Sequence, residues 1–144
     1  MKKISVMMDL KRINGKMHKA LSNSLKEYDI DITPVQGRIL LFIDENSNVS
    51  ATDILERFNS INKSTLSEIL NNLEKNKYIK RLESREDSRK KIIVLTDKSK
   101  EVIILLKKNF EKVARNVISD IPEDEYEAFK KVLDKIEGNV DKLC

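Results

Sequence analysis

Apolar residues recur along this chain in two rhythms, one helical and one extended. Val6, Leu10, Ile13, Met17, Leu21, Leu25 and Tyr28 follow one another at steps of three and four, with Lys, Arg, Asn and Ser between them. That spacing is one stripe of a 3.6-residue period and predicts a helix from about Ile4 to Tyr28. Asp29-Ile30-Asp31-Ile32 breaks the pattern. Thr33-Pro34 then opens a second helix, because Thr is a good N-cap and Pro fits the first turn, where its missing N–H has no partner to lose. Val35, Ile39, Phe42 and Ile43 form its inner side to near Glu45, and Asn46-Ser47-Asn48 follows as a loop. Ser50 with Asp53 three residues on is another start signal, and the short helix it opens turns Ile54, Leu55 and Phe58 inward. Asn59-Ser60-Ile61 makes a tight turn. A third helix from about Asn62 to Asn76 carries Leu66, Ile69, Leu70 and Leu73 on one side.

The rhythm then changes. Tyr78–Glu83 and Lys91–Leu95 favour β structure, and the charged stretch from Ser84 to Lys90 between them makes a hairpin. Thr96-Asp97 is expected to cap a long helix to about Ser119, with Ile103, Leu106, Phe110, Val113 and Val117 on one stripe. At 1.5 Å per residue that helix spans roughly 33 Å. Ile121-Pro122-Glu123 ends it, and a last helix carries Tyr126, Phe129, Leu133, Ile136 and Val140.

Composition narrows what such a chain can do. Its 144 residues are enough for one domain with its own core. One cysteine, Cys144, excludes a disulfide framework or a zinc cluster within the chain, and one histidine, His18, excludes a two-histidine metal motif. No apolar run approaches the roughly 20 residues of a membrane span, so no membrane partner is expected. Lys2 and Lys3 are not followed by a long apolar stretch, so a signal peptide is not expected and a cytoplasmic location is. His18 sits among lysines with no carboxylate or nucleophile partner, and no glycine-rich phosphate loop occurs. Neither an enzyme nor a cofactor is expected.

Helix, short helix, tight turn, helix and hairpin is the order of a winged helix-turn-helix. Three further helical stripes, on the first, long and last helices, exceed what a core of about 65 residues can cover. The expected fold is therefore mainly α with a small β-hairpin wing. It is a winged helix-turn-helix over 33–96, flanked by helical dimerisation regions at 1–32 and 97–144, within one domain of 1–144. A two-fold dimer would set two reading helices at the turn of the DNA, roughly 34–36 Å apart. Lys63, Ser64, Ser67, Glu68 and Asn71 lie opposite the apolar side of the third helix, short or polar groups able to reach base edges or phosphates. Taken alone, Asn62, Ser64 and Thr65 would be no more than capping residues. The neighbouring hairpin changes that, because residues 77–91 hold seven basic groups against three acidic ones, an excess of +4 equal to that of the whole chain. Residues 119–144 hold eight acids and four bases. Arg at the hairpin tip suits the negative potential of a minor groove. Asp87 and Arg89, two apart, point the same way on an extended loop and can pair. Two rivals remain. One is a winged-helix protein-interaction module without specific DNA binding. The other is RNA binding, disfavoured because only Tyr78 among aromatics lies near the basic segment.

The sequence resembles the MarR family of transcriptional regulators over nearly its whole length. Leu73-Glu74-Lys75-Asn76-Lys77-Tyr78-Ile79-Lys80-Arg81, then Asp87-Ser88-Arg89, then Val94-Leu95-Thr96 follow the family's order of a helix end of L-E-K-x-G type, [LY]-[IV]-x-R, D-x-R and a strand ending in L-T. Thr33-Pro34-Val35-Gln36 resembles its L-T-x-x-Q helix start. The resemblance implies a homodimer on pseudo-palindromic double-stranded operator DNA, often a repressor. It implies Lys63, Ser64, Thr65, Ser67 and Glu68 at the major groove, and Arg89 at the wing tip braced by Asp87. Arg85 and Lys90 complete the candidate DNA-binding set. Family members are often released by small phenolic or lipophilic ligands or by cysteine oxidation. Three positions depart from the pattern. Lys77 stands for the glycine after the recognition helix, where Asn76 is expected to take the left-handed turn. Ser99 stands for the glycine of L-T-x-x-G. Glu68 stands where many relatives carry a basic or neutral reader, and it would accept from cytosine N4 while repelling phosphate. Cys144 is not in the first helix, where the family's thiol-sensing branch carries its reactive residue, and is taken as an ordinary terminal thiol.

Overall fold

The computed structural model describes residues 5–144. Ile4, the expected first residue of the first helix, lies outside them. Six helices and one hairpin follow in order: α1 (Ser5–Glu27), α2 (Pro34–Glu45), α3 (Ala51–Arg57), α4 (Lys63–Lys75), β1 (Ile79–Glu83), β2 (Lys91–Leu95), α5 (Asp97–Val117) and α6 (Glu123–Asp141). The architecture is the expected one, mainly helical with a two-stranded wing.

Local chemistry sets most of the boundaries. Thr33 and Gln36 form a reciprocal capping box at α2, with Pro34 in the first turn. Ser50 and Asp53 do the same at α3. Asn62 caps α4 by accepting the Thr65 N–H at 2.7 Å. Each cap supplies an acceptor to an otherwise orphaned backbone donor, typically worth about 1 kcal/mol.

The end of α4 differs from expectation. Asn76 has φ −83° and is the C-cap, while Lys77 takes the left-handed conformation at φ 65°. Tyr78 N–H donates to Leu73 O at 2.9 Å and Lys77 N–H to Glu74 O at 3.0 Å, the paired bonds of a Schellman turn. Leu73 and Tyr78 are both buried, and this register brings both to the core. Lys98 closes the same corner, donating to Asn76 O at 2.8 Å with its ammonium 4.3 Å from the centre of the Tyr78 ring. The Thr96 hydroxyl was expected to cap α5. It instead donates to Lys77 O at 2.6 Å, and buried Ser99 donates its hydroxyl to Tyr78 O. Serine, at the position where the resembled pattern carries glycine, thus ties α5 to the turn after α4.

The chain divides into two compact units, Met1–Phe110 and Glu111–Cys144. In the first, Leu25, Ile39, Leu40, Ile54, Leu66, Leu73, Ile79 and Leu106 are fully buried. The hairpin pairs antiparallel from Ile79 opposite Leu95 to Glu83 opposite Lys91. Ile93 N–H donates to Val49 O at 2.8 Å, which ties the loop before α3 to the wing. Gly37 on α2 faces α5 closely; a Cβ there would lie 3.1 Å from Leu106 Cδ2 and 3.5 Å from Phe110 Cζ. Lys107 on α5 donates to Asp44 of α2 at 2.9 Å, and Ser24 of α1 donates to buried Asn109. In the second unit, α6 has no buried residue, and Ile118, Ile121, Phe129, Val132 and Val140 are exposed. On α1, Val6, Met7, Met8, Leu10 and Ile13 are likewise exposed.

Candidate nucleic-acid interface

The polar side of α4 is built by subtraction. Leu66, Leu70 and Leu73 commit one side of the helix to the core. At 100° per residue, Ser64, Glu68, Asn71 and Lys75 form the opposite line, and all four are exposed. Lys63 begins the helix, Ser67 stands beside that line on one flank, and Thr65 lies on the other flank, its backbone N–H held by Asn62. The helix therefore brings Ser64, Ser67 and Glu68 onto one accessible face and leaves Thr65 at its edge.

The wing loop is organised by short polar contacts. Ser84 N–H donates to Lys90 O at 2.9 Å, and Lys90 N–H to Asp87 O at 3.0 Å. The Ser84 hydroxyl accepts from the backbone of Glu86 at 3.2 Å and of Asp87 at 3.4 Å. Asp87 Oδ1 accepts both the Arg89 backbone N–H at 3.0 Å and its Nε at 3.3 Å. The Arg89 side chain is still 91% exposed, so Asp87 sets its starting direction without covering it. Arg85 and Lys90 are exposed on the same loop. A cleft of about 350 Å³ separates the wing from α3, lined by Ser50, Thr52, Arg81, Arg89, Lys90 and Lys91. This cleft is a product of tertiary packing, so the sequence did not reveal its α3 side.

Arg81 behaves differently from the other basic groups. It turns back to α4, donating to Asn71 Oδ1 at 2.8 Å, with its Nε 3.8 Å from Glu74 Oε2. Its side chain is 27% exposed. The extended period of β1 carries the signal, because Arg81 lies two residues from buried Ile79 and so on the same side of the strand.

A second cleft, of about 510 Å³, lies among α2, α3 and α5, lined by Arg38, Phe42, Arg57, Phe58 and Phe110 with their neighbours. The Phe42 and Phe58 rings meet edge to face at 5.9 Å, and the guanidinium groups of Arg57 and Arg38 stand 5.5 and 6.0 Å from the Phe58 ring centre. Arg38 Nε is buried without a hydrogen-bond partner. No set of three or more His, Cys, Asp and Glu side chains suited to a metal occurs among the described residues. Cys144 is exposed. Among the described residues, no helix is long and apolar enough to cross a membrane.

A family model described as MarR family matches residues 30–90, the stretch from the approach to α2 through the wing loop. Over that stretch the chain is similar to the MarR family. The curated proteins it resembles are named as transcriptional regulators. Among its relatives is the HTH-type transcriptional regulator BilQ of Clostridioides difficile, 29% identical over 94 residues, a match covering 65% of this chain and 63% of that protein. The chain thus spans less than two thirds of that relative's length. The HTH-type transcriptional regulator PrsX of Escherichia coli is 28% identical over 132 residues, covering 92% of this chain and 79% of that protein. Among solved structures, the S. aureus MepR–DNA complex superposes with a TM-score of 0.84 at 25% identity, covering 92% of this chain and 96% of the other.

Proposed function

We propose that this chain is a MarR-family transcription regulator that binds double-stranded DNA sequence-specifically as a homodimer, with α4 in the major groove and the wing at an adjoining minor groove. The observation that carries this reading is the exposed polar line of α4 standing beside a wing whose tip arginine is held in place by Asp87. On it, Lys63, Ser64, Thr65, Ser67 and Glu68 face the groove, while Arg85, Arg89 and Lys90, with Asp87 as the brace, serve the wing. The similar MepR structure is a DNA complex, which supports DNA as the ligand.

In the first unit α1, and in the second α6, each leaves apolar side chains exposed, and each by itself offers a surface to a second copy, since monomers seldom leave such stripes to water. A two-fold dimer matches a pseudo-palindromic operator. Repression and release by a small phenolic or lipophilic effector are carried by the family resemblance. The cleft of Arg38, Phe42, Arg57, Phe58 and Phe110 offers such a molecule rings to stack on and a positive lining.

The deciding experiment is a fluorescence-anisotropy titration of duplex DNA from immediately upstream of the gene, beside a scrambled duplex, at two salt concentrations. Tight binding that favours the native duplex and weakens steeply with salt is expected. Equal, weak binding to both would refute the reading for that site. A salt-insensitive protein ligand would favour the interaction-module alternative.

A further inference from the structure

Asn71 occupies the centre of the exposed line of α4, between Glu68 and Lys75. A free asparagine reads adenine bidentately, its oxygen accepting from N6 and its nitrogen donating to N7. That reading needs both ends of the amide turned to the base. Here Asn71 Oδ1 accepts from the Arg81 guanidinium at 2.8 Å, which turns the oxygen end of the amide toward β1. Arginine has donors only, so rotating the amide by 180° would set its hydrogens against the guanidinium hydrogens. The identity of the inward atom is thus fixed by its partner, and the Asn71 nitrogen is the unpartnered end of an exposed side chain. Glu74, one turn further along α4 with its carboxylate 3.8 Å from Arg81 Nε, holds the guanidinium over the helix.

We propose that Arg81 is a positioning residue for base recognition: by holding the Asn71 oxygen it makes the centre of α4 a donor-only reader, selecting a keto base (guanine or thymine) over an amino base (adenine or cytosine). Guanine O6 and N7 and thymine O4 accept such a donor. Cytosine N4 presents a donor against it, and adenine offers only N7 as an acceptor while its N6 donor faces the amide hydrogens. The inference rests on the proposed function, since it assigns a base class to one position of the same interface.

The test is a base-preference profile of the full-length protein, measured by selection from randomised duplexes and by anisotropy on single-base variants of the selected site. Wild type is expected to prefer guanine or thymine at one position per half-site by about tenfold. Asn71→Asp, an exposed and nearly isosteric change, is expected to turn that position to adenine or cytosine, because a carboxylate only accepts. Arg81→Met is expected to admit adenine there while leaving the salt slope unchanged, and Arg81→Lys to retain the keto preference in part. Unchanged preference at every position in Asn71→Asp would overturn the inference. So would a uniform affinity loss with a shallower salt slope in Arg81→Met, which is the behaviour of a phosphate contact. A wild-type protein with no base preference anywhere would remove the DNA-reading function itself, a failure visible before any variant is made.

Discussion

Asp87→Ala sets two effects of opposite sign against each other. The substitution removes a negative charge from a surface proposed to approach phosphates. At ~10 Å in water that charge costs roughly 0.4 kcal/mol, and screening over a Debye length of ~8 Å leaves a fraction of it. Charge alone therefore predicts slightly tighter DNA binding. The geometry predicts the reverse. Asp87 Oδ1 holds both the backbone N–H and the Nε of Arg89, whose side chain is otherwise 91% exposed and free to rotate. Ordering a free arginine costs up to ~2 kcal/mol, and a brace that removes half of this is worth about 1 kcal/mol per wing. That is roughly fivefold in affinity for one wing and about 25-fold for a dimer. Folding stability should barely change, because exposed pairs contribute ~0–1 kcal/mol. The assay is an anisotropy titration of wild type, Asp87→Ala, Arg89→Ala and the double variant, a double-mutant cycle at several salt concentrations. Arg89→Ala should weaken binding to all duplexes and lower the salt slope by ~0.9 per wing. Asp87→Ala should have little effect in the Arg89→Ala background. Tighter or unchanged binding by Asp87→Ala would refute the brace.

Lys77→Gly should stabilise the fold by roughly 0.5–1 kcal/mol. Relief of a left-handed non-glycine residue returns ~1–2 kcal/mol, and the greater freedom of glycine in the unfolded chain offsets part of it; chemical denaturation gives the sign. Gly37→Ala should fail to show the ~1 kcal/mol helix-propensity gain of an unhindered glycine, because its Cβ would sit 3.1 Å from buried Leu106. A clear rise in melting temperature would show that the α2–α5 contact yields. Among the described residues two pKa values are raised, that of Tyr78 by burial and then by the charge of Asp31, and that of Lys107 by its hydrogen bond to Asp44 and then that carboxylate's charge. Raised folded-state values give stability that is complete below the ordinary values of 10.0 and 10.5 and is lost as pH climbs through the folded ones. Melting temperature should therefore fall on the alkaline side, less steeply in Tyr78→Phe, and equal slopes in the two proteins would remove Tyr78 from the effect.

Most of the fold was legible because its boundaries are written in neighbouring residues. Thr33 with Gln36, Ser50 with Asp53, and Asn62 each act within three positions of the helix they start. The hairpin is also local, with ladder and loop contained in seventeen residues from Ile79 to Leu95. The left-handed residue after α4 was not. Asparagine tolerates that conformation better than lysine, so local preference pointed to Asn76. The register that buries both Leu73 and Tyr78 moved it to Lys77, and a core of that size outweighs a local cost of ~1–2 kcal/mol. Thr96 was misread for a related reason. Its hydroxyl looked local in sequence, but the carbonyl of Lys77, nineteen residues back, lies within reach.

The exposed face of α4 was legible from helical spacing alone, whereas its chemistry was not. Asn71 and Arg81 are ten residues apart on different elements, so no short-range pattern joins them. Counting charge alone does not separate the seven basic groups of residues 77–91. The fold sorts them. Arg81 is turned to Asn71 and Glu74, Lys77 sits in the turn behind α4, and Arg89 stands at the tip with its guanidinium open. Net charge sets how strongly a surface attracts DNA, but only groups that reach phosphates release counterions on binding. Arg81 and Arg89 carry the same charge eight residues apart, yet only the loss of Arg89 should change the salt slope, and only the loss of Arg81 should change which base is preferred.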